Sequence, residues 1–228
     1  MKLFKKRGIV FFWFVMLADC FLVLSEQESY RVFTKLLIIP ILFAFLYTNA
    51  NKKHYSQTKL IVYSALFVSW IGDILIVINP DNTIASAIAL IVSCSIYCFA
   101  FIKIQRVSIG TESSQKSLAA LIVYIAICIG LFRWVGLYME NYKALVILFM
   151  LIMACFVFLA ANVLNHKIKR SLAINFFLPS AALFVAYFFF YALHKFLLKE
   201  EDFFNVVIAL TYGYGQSLMV LGFKKILK

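Results

Sequence analysis

The chain has 228 residues, of which 64% are hydrophobic and only 14% charged. A water-soluble domain carries roughly 25% charged residues and cannot hide this much apolar surface, so lipid must cover the excess. The length suits one integral membrane domain over residues 1–228 with no soluble domain beside it. The net charge of +12 does not point to nucleic acid, because the basic residues sit in short clusters between apolar runs and form no aromatic-interleaved stripe.

Eight apolar segments follow in chain order: Gly8–Ser25, Val32–Asn49, Leu60–Ile78, Ile84–Ile102, Leu118–Tyr138, Leu145–Leu164, Leu172–His194 and Phe203–Phe223. Most approach the ~20 residues that a spanning helix needs. The linkers are short and polar, and Pro80 with Asn82 gives the third its turn chemistry. There is no internal repeat. The expected fold is all-α, a polytopic membrane helical bundle of about eight transmembrane helices.

Loop charge sets the expected orientation. With the N-terminus in the cytoplasm, sixteen basic residues fall on inner segments, among them Lys5, Arg7, Lys52, Lys103, Lys167 and Lys224. Only Arg31, Lys143, Lys195 and Lys199 fall outside, and Lys35 and Arg133 lie within spans. The bias holds at every loop, which places both termini in the cytoplasm. One missed helix would invert every later loop, so the consistency also favours an even number of spans. The basic start followed by an apolar run resembles a signal peptide. In Leu17-Ala18-Asp19-Cys20, however, Asp19 stands where a lipoprotein cleavage site needs a small neutral residue. The segment is therefore expected to remain as the first membrane helix, and the expected host is a bacterial inner membrane.

An ionisable side chain in hydrocarbon is costly unless it finds a partner or water, which makes each one a candidate functional residue. Asp19, Lys35, Asp73, Arg133 and, at a span end, His194 form this set. Tyr187, Tyr191, Tyr212 and Gln216 add uncharged polar atoms. Under the expected topology nearly all lie in or close to the outer half of the membrane, and a shared wet cavity is the expected arrangement. Lys35, Arg133 and His194 also have a structural reading, since each can snorkel to the interface. Asp73 is a short carboxylate well inside an apolar run and cannot reach far. Its structural alternative is a helix-joining salt bridge to Lys35 or Arg133. Ser69 and Asp73 share a helix face at i,i+4, as do Tyr212 and Gln216, while Tyr187, Tyr191 and His194 make a stripe.

Other chemistries are set aside. Cys20, Cys94, Cys98, Cys128 and Cys155 all fall in apolar runs without a CxxC pair, so neither zinc nor a disulfide framework is indicated. His54, His166 and His194 fall on opposite membrane faces and cannot share one zinc. No GxSxG, P-loop or GxGxxG occurs. No metal and no cofactor is expected.

Four stretches together resemble the YhhN, or lysoplasmalogenase, family. Thr34-Lys35 with Pro40 is similar to its Thr-Lys-Pro segment, with Leu36 in place of the first proline. Ser69-Trp70-Ile71-Gly72-Asp73 matches its Ser-x-x-Gly-Asp stretch. Ala181-Ala182-Leu183-Phe184 leading to Lys195-Phe196 resembles the seventh-helix motif, and Thr211-Tyr212 with Gln216 the closing Thr-Tyr-x-x-x-Gln. The resemblance implies an eight-helix membrane enzyme that cleaves the vinyl-ether bond of lysoplasmalogens. Its partner would be a membrane lipid or lysophospholipid. Asp73 would be the catalytic acid/base, Lys35 would tune its charge or hold phosphate, and Ser69, Tyr212 and Gln216 would bind substrate or water. Two departures stand out. Tyr187 and Phe188 occupy the family's Ser-Asp positions, and Cys94-Ser95-Ile96-Tyr97 replaces a His-x-x-Tyr. Asp19, Tyr187, Tyr191, His194 and Arg133 are the available auxiliaries. The alternative is an inactive lipid-binding or transport protein on the same scaffold. A small-solute transporter ranks third, for want of internal repeats and broken helices.

The topology has a direct test. Reporter fusions at Glu28, Asn82, Glu140 and Glu201 are expected to report the outer face, and fusions at His54 and His166 the cytoplasm. A cytoplasmic signal at any of the first four breaks the assignment.

Overall fold

The computed structural model describes residues 2–50, 56–79, 83–105, 114–139, 142–166, 168–198 and 202–227. The loop positions His54, Pro80, Asn82, Glu140, Lys199 and Glu201 lie outside the described residues. Helices run over α1 (Lys2–Leu24), α2 (Glu28–Asn49), α3 (Ser56–Ile78), α4 (Thr83–Gln105), α5 (Ser114–Val135) and α6 (Lys143–Asn162). A short α7 (Arg170–Leu172) leads through a π-helical turn, Ala173–Phe177, into α8 (Leu178–Phe196), and α9 (Asp202–Ile226) closes the chain. There is no strand among the described residues. Among the described residues eight helical stretches are long and apolar enough to cross a membrane, with α7 to α8 counting as one from Arg170 to Phe196. Their outer faces carry bare apolar side chains such as Phe14, Phe21, Phe99 and Ile78, 63–74% exposed. Water would not tolerate this, and a bilayer requires it. The protein is a multi-pass integral membrane protein.

The helix ends differ from the apolar segments for local reasons. The second helix begins at Glu28 rather than Val32 because a tight cap delivers the chain straight into it. Gln27 N–H donates to the Leu22 carbonyl (3.0 Å) and Glu26 N–H to that of Val23 (3.1 Å), with Glu26 left-handed at φ 57°. This is the hydrogen-bond pattern of a Schellman cap, with a non-glycine residue at its strained position. The fifth helix stops at Val135 instead of Tyr138, at Gly136, where a Cβ would collide with the Phe132 carbonyl oxygen. Before Pro179 the helix widens, and Leu178 N–H donates five residues back to Ala173. Proline lacks an N–H and crowds the carbonyl four residues earlier, and a π turn accommodates both.

Contacts divide the chain into two compact units, Met1–Ala100 with Met219–Lys228, and Phe101–Leu218. The division falls within α4 and within α9. In the first unit, α1, α2 and α3 pack antiparallel over Phe12, Met16, Leu42, Phe45 and Leu66, all buried. Tyr97 stacks on Phe223 with ring centroids 6.2 Å apart, and the Lys224 ammonium sits 4.3 Å above the Phe45 ring. Gly72 lets α3 approach α4 closely, since a Cβ there would stand 3.3 Å from the Ala89 Cβ.

The second unit has an aromatic core. Phe101 meets Phe156 and Phe177, Phe156 meets Phe184, and Phe149 meets Phe188, with centroids 4.6–5.6 Å apart. One end is tied by a polar network. Gln105 donates to the Leu159 carbonyl (2.6 Å), and Asn162 to Gln105 (3.0 Å). Ser117 and Asn165 both donate to Asn162 Oδ1. The Lys169 ammonium donates to the Ile104 carbonyl (2.6 Å), and burial holds this lysine below its ordinary range. Burial and then Lys169 likewise lower His166, whose two ring nitrogens have no hydrogen-bond partner among the described residues.

One long-range hydrogen bond links the first unit's sequence motifs. Pro40 lies inside α2 and cannot donate to Leu36, four residues before it. The Trp70 indole N–H of α3 donates to the Leu36 carbonyl instead, at 3.0 Å. An unsatisfied buried carbonyl costs about 1–3 kcal/mol. Trp70→Phe is therefore expected to lower unfolding stability by about that amount, read as resistance to denaturant in detergent. In a Pro40→Ala background the helix recovers its own donor, and the same substitution should cost much less. Equal cost in both backgrounds would refute the link.

Candidate functional site

The first unit places four of the expected residues, Asp19, Lys35, Ser69 and Asp73, in one thin layer. Register alone shows this. Thr34 Oγ1 donates to Asp19 Oδ1 at 2.6 Å, which levels α1 with α2 at those residues. The Trp70 bond levels α3 with α2 at Leu36. The hydroxyls of Ser69 and Ser93 lie 2.7 Å apart, which levels α3 with α4. A helix rises about 1.5 Å per residue, so Asp73, three residues beyond Trp70, stands level with Phe33 on the antiparallel α2. Lys35 and Asp73 then differ in depth by only about 3 Å.

The direction of Asp73 follows from the same contacts. Successive helical residues turn by about 100°, so Asp73 projects about 60° from Trp70 and about 40° from Ser69, between the two. Trp70 reaches α2, while Ser69 meets α4, whose Ser93 also donates to the Ala65 carbonyl (2.9 Å). Asp73 is thus directed between α2 and α4 on the packed side of α3, and it is half-buried. Lys35 is half-buried as well, and Ser69 is buried.

Asp19 is 1% exposed inside α1. Besides accepting from Thr34, its Oδ1 lies 3.8 Å from Nε of Arg31, whose side chain is 12% exposed. Sequence reading assigned Arg31 to an outer loop, yet it sits in the first turn of α2, one helical turn before Lys35. The missed signal was the spacing Arg31-x-x-Thr34-Lys35, which puts all three near one face. The acceptor role of Leu36 was also readable, because a mid-helix proline always frees the carbonyl four residues earlier.

The remaining candidates belong to the second unit. Gln216 is fully buried in α9. Tyr212 lies 5.3 Å from Tyr187 and 6.3 Å from Phe184, centroid to centroid, and Tyr187 stacks on Tyr191 at 5.9 Å. Ser180 Oγ donates to the Gly215 carbonyl at 2.7 Å, which fixes α8 against α9 beside Gln216. His194 is half-buried in the last turn of α8, and Arg133 is exposed near the end of α5. Among the described residues no group of three His, Cys, Asp or Glu is placed to hold a metal ion.

Phe188, at the position where the resemblance implies a second carboxylate, is 8% exposed and packs on Phe149 at 4.6 Å. The space for a carboxylate is filled by a ring pair. Phe188→Asp is therefore expected to destabilise the protein by at least the ~3–5 kcal/mol of a buried Phe truncation, because it also buries a charge. Thermal unfolding in detergent measures this, and an unchanged midpoint would contradict the packing.

Compared with known sequences, the family model described as the YhhN family matches residues 30–223. No curated protein and no solved structure matches.

Proposed function

The chain belongs to the YhhN family, and on that footing we propose that it is a membrane-embedded hydrolase of lysoplasmalogenase type, cleaving the vinyl-ether bond of ether lysophospholipids with Asp73 as the acid/base. One observation carries this reading: Asp73 is directed between helices on the packed side of α3, within about 3 Å in depth of Lys35. The reading rests on the first unit alone. By loop charge, both termini are assigned to the cytoplasm and the α1–α2 turn to the outer face.

The chemistry needs one group that gives and then takes a proton. The protonated Asp73 carboxyl transfers its proton to the distal carbon of the vinyl ether, and the double bond's electron pair forms the new C–H bond. An oxocarbenium ion results. Water adds to the carbon beside the ether oxygen and loses a proton to the Asp73 carboxylate. The hemiacetal then collapses to a fatty aldehyde and a glycerophospho alcohol, with Asp73 protonated again. Lys35 stabilises the carboxylate between the two transfers, or holds the substrate phosphate.

A second reading is favoured by the Phe188–Phe149 pair, which replaces the family's second carboxylate with a closed aromatic contact. On that reading the protein binds or carries lipid without cleaving it. Purified protein incubated with lysoplasmalogen separates the two. Aldehyde release is expected from the wild type, and Asp73→Asn should lose at least ~100-fold while keeping its unfolding midpoint. A fully active Asp73→Asn variant would remove Asp73 from the mechanism. Silence of the wild type would favour the carrier.

A further inference from the structure

We propose that Lys59, held by the rings of Tyr47 and Tyr63, is a site for the headgroup phosphate of an anionic phospholipid, at the end of the first unit away from Asp73. The proposal is independent of the hydrolase reading.

Aromatic rings place the cation. Lys59 lies in the first turn of α3. Its Nζ stands 5.7 Å from the ring centroid of Tyr47 on α2, and 5.7 Å from that of Tyr63, one turn further along α3. Tyr63 packs on Phe43 of α2 at 4.8 Å and lies 6.4 Å from Tyr47, so the two helices hold the rings together. These distances are those of a cation–π contact. A ring face attracts a cation through its quadrupole but carries no net charge. Two rings therefore fix the ammonium and leave its charge uncompensated. The Tyr63 hydroxyl is buried with no hydrogen-bond partner among the described residues, so it is closed to a ligand and this ring serves through its face.

The unit's own carboxylates stand elsewhere. Asp19 and Asp73 lie past the middle of α1 and α3, Glu26 and Glu28 at the α1–α2 turn, and Asp81 in the α3–α4 loop. All belong to the far end of these antiparallel helices. The stretch from Asn49 to Lys59 has no acidic residue and adds Lys52 and Lys53. Among the described residues the Lys59 ammonium has no ion pair and no hydrogen bond. An anion from outside the chain completes it.

The surroundings select a lipid. Lys59 is half-buried, while Tyr47 is 54% exposed and the adjacent Leu60 68% exposed. Bare apolar side chains beside a lysine at a helix end mark the depth where acyl chain meets headgroup. A lipid phosphate already sits at that depth, and its acyl chains cover Leu60. Loop charge assigns this end to the cytoplasm, where anionic lipids gather at basic clusters. A zwitterionic lipid brings its own cation to compete for the phosphate, and an anionic one does not.

The test reads lipid preference. Full-length protein purified in detergent is titrated with phosphatidylglycerol and with phosphatidylcholine of the same acyl chains. The wild type should prefer phosphatidylglycerol by about fivefold or more. Lys59→Gln should lose most of that preference, and Lys53→Gln, an equal change of charge in the neighbouring loop, little of it. Tyr47→Leu keeps every charge and alters an exposed position that the fold tolerates, and it should reduce the preference about threefold. Tyr63→Phe keeps the ring face and should retain it. A general positive surface would respond alike to both lysines and not at all to the ring. Equal losses in Lys59→Gln and Lys53→Gln with Tyr47→Leu unchanged therefore overturn the proposal. So does a folded Lys59→Gln with wild-type preference, or a wild type with none. Displacement of phosphatidylglycerol by an equal concentration of inorganic phosphate overturns it too, because the ligand would then be a free anion.

Discussion

The first unit depends on a carbonyl that its own helix cannot satisfy. Pro40 removes the donor that Leu36 would have received, and in hydrocarbon no water replaces it. The Trp70 indole supplies the missing hydrogen bond from α3. That bond fixes the register of α2 against α3, and so sets Asp73 at nearly the depth of Lys35. Two motifs whose contacting residues stand 34 apart in sequence are thus halves of one contact. The proline needs the tryptophan, and the tryptophan's placement gives the carboxylate its direction.

Polar groups in this membrane protein are held in two ways. In the first unit a buried charge is matched by a charge and a hydroxyl, as Asp19 is by Arg31 and Thr34. In the second, side-chain amides and the Lys169 ammonium are matched by amide and backbone carbonyls, as at Gln105, Asn162 and Ile104. The two arrangements suit different tasks. An amide network with no ionised carboxylate stiffens a helix junction. A carboxylate with a cation nearby keeps a field that a ligand or a proton can alter. The first is scaffold and the second is where chemistry is proposed.

In the second unit the position where the resemblance implies a carboxylate belongs to the aromatic core. Phe188 of α8 packs on Phe149 of α6, and a carboxylate in its place would lose that ring contact and face an apolar wall. A lone substitution back to the acid would meet that packing. Whatever chemistry the chain performs must draw its acid and base from residues other than Phe188, and Asp73 and the Asp19 pair are the carboxylates that lie at depth in the first unit.

The sequence by itself determined the membrane class, the eight spans and the residues worth watching, because apolar run length and the cost of burying charge are local properties. The four motifs also carried the family, which rests on order and spacing along the chain. Three things were decided only by tertiary structure. Arg31 reads as a loop cation until the cap at Glu26 starts the helix at once and brings it beside Asp19. Phe188 reads only as a replaced carboxylate until Phe149 is seen packed against it. The level of Asp73 with Lys35 is invisible in one dimension, because depth is set by which carbonyl an indole reaches across helices. Spacing along one helix fixes a face, but only contacts between helices fix a register.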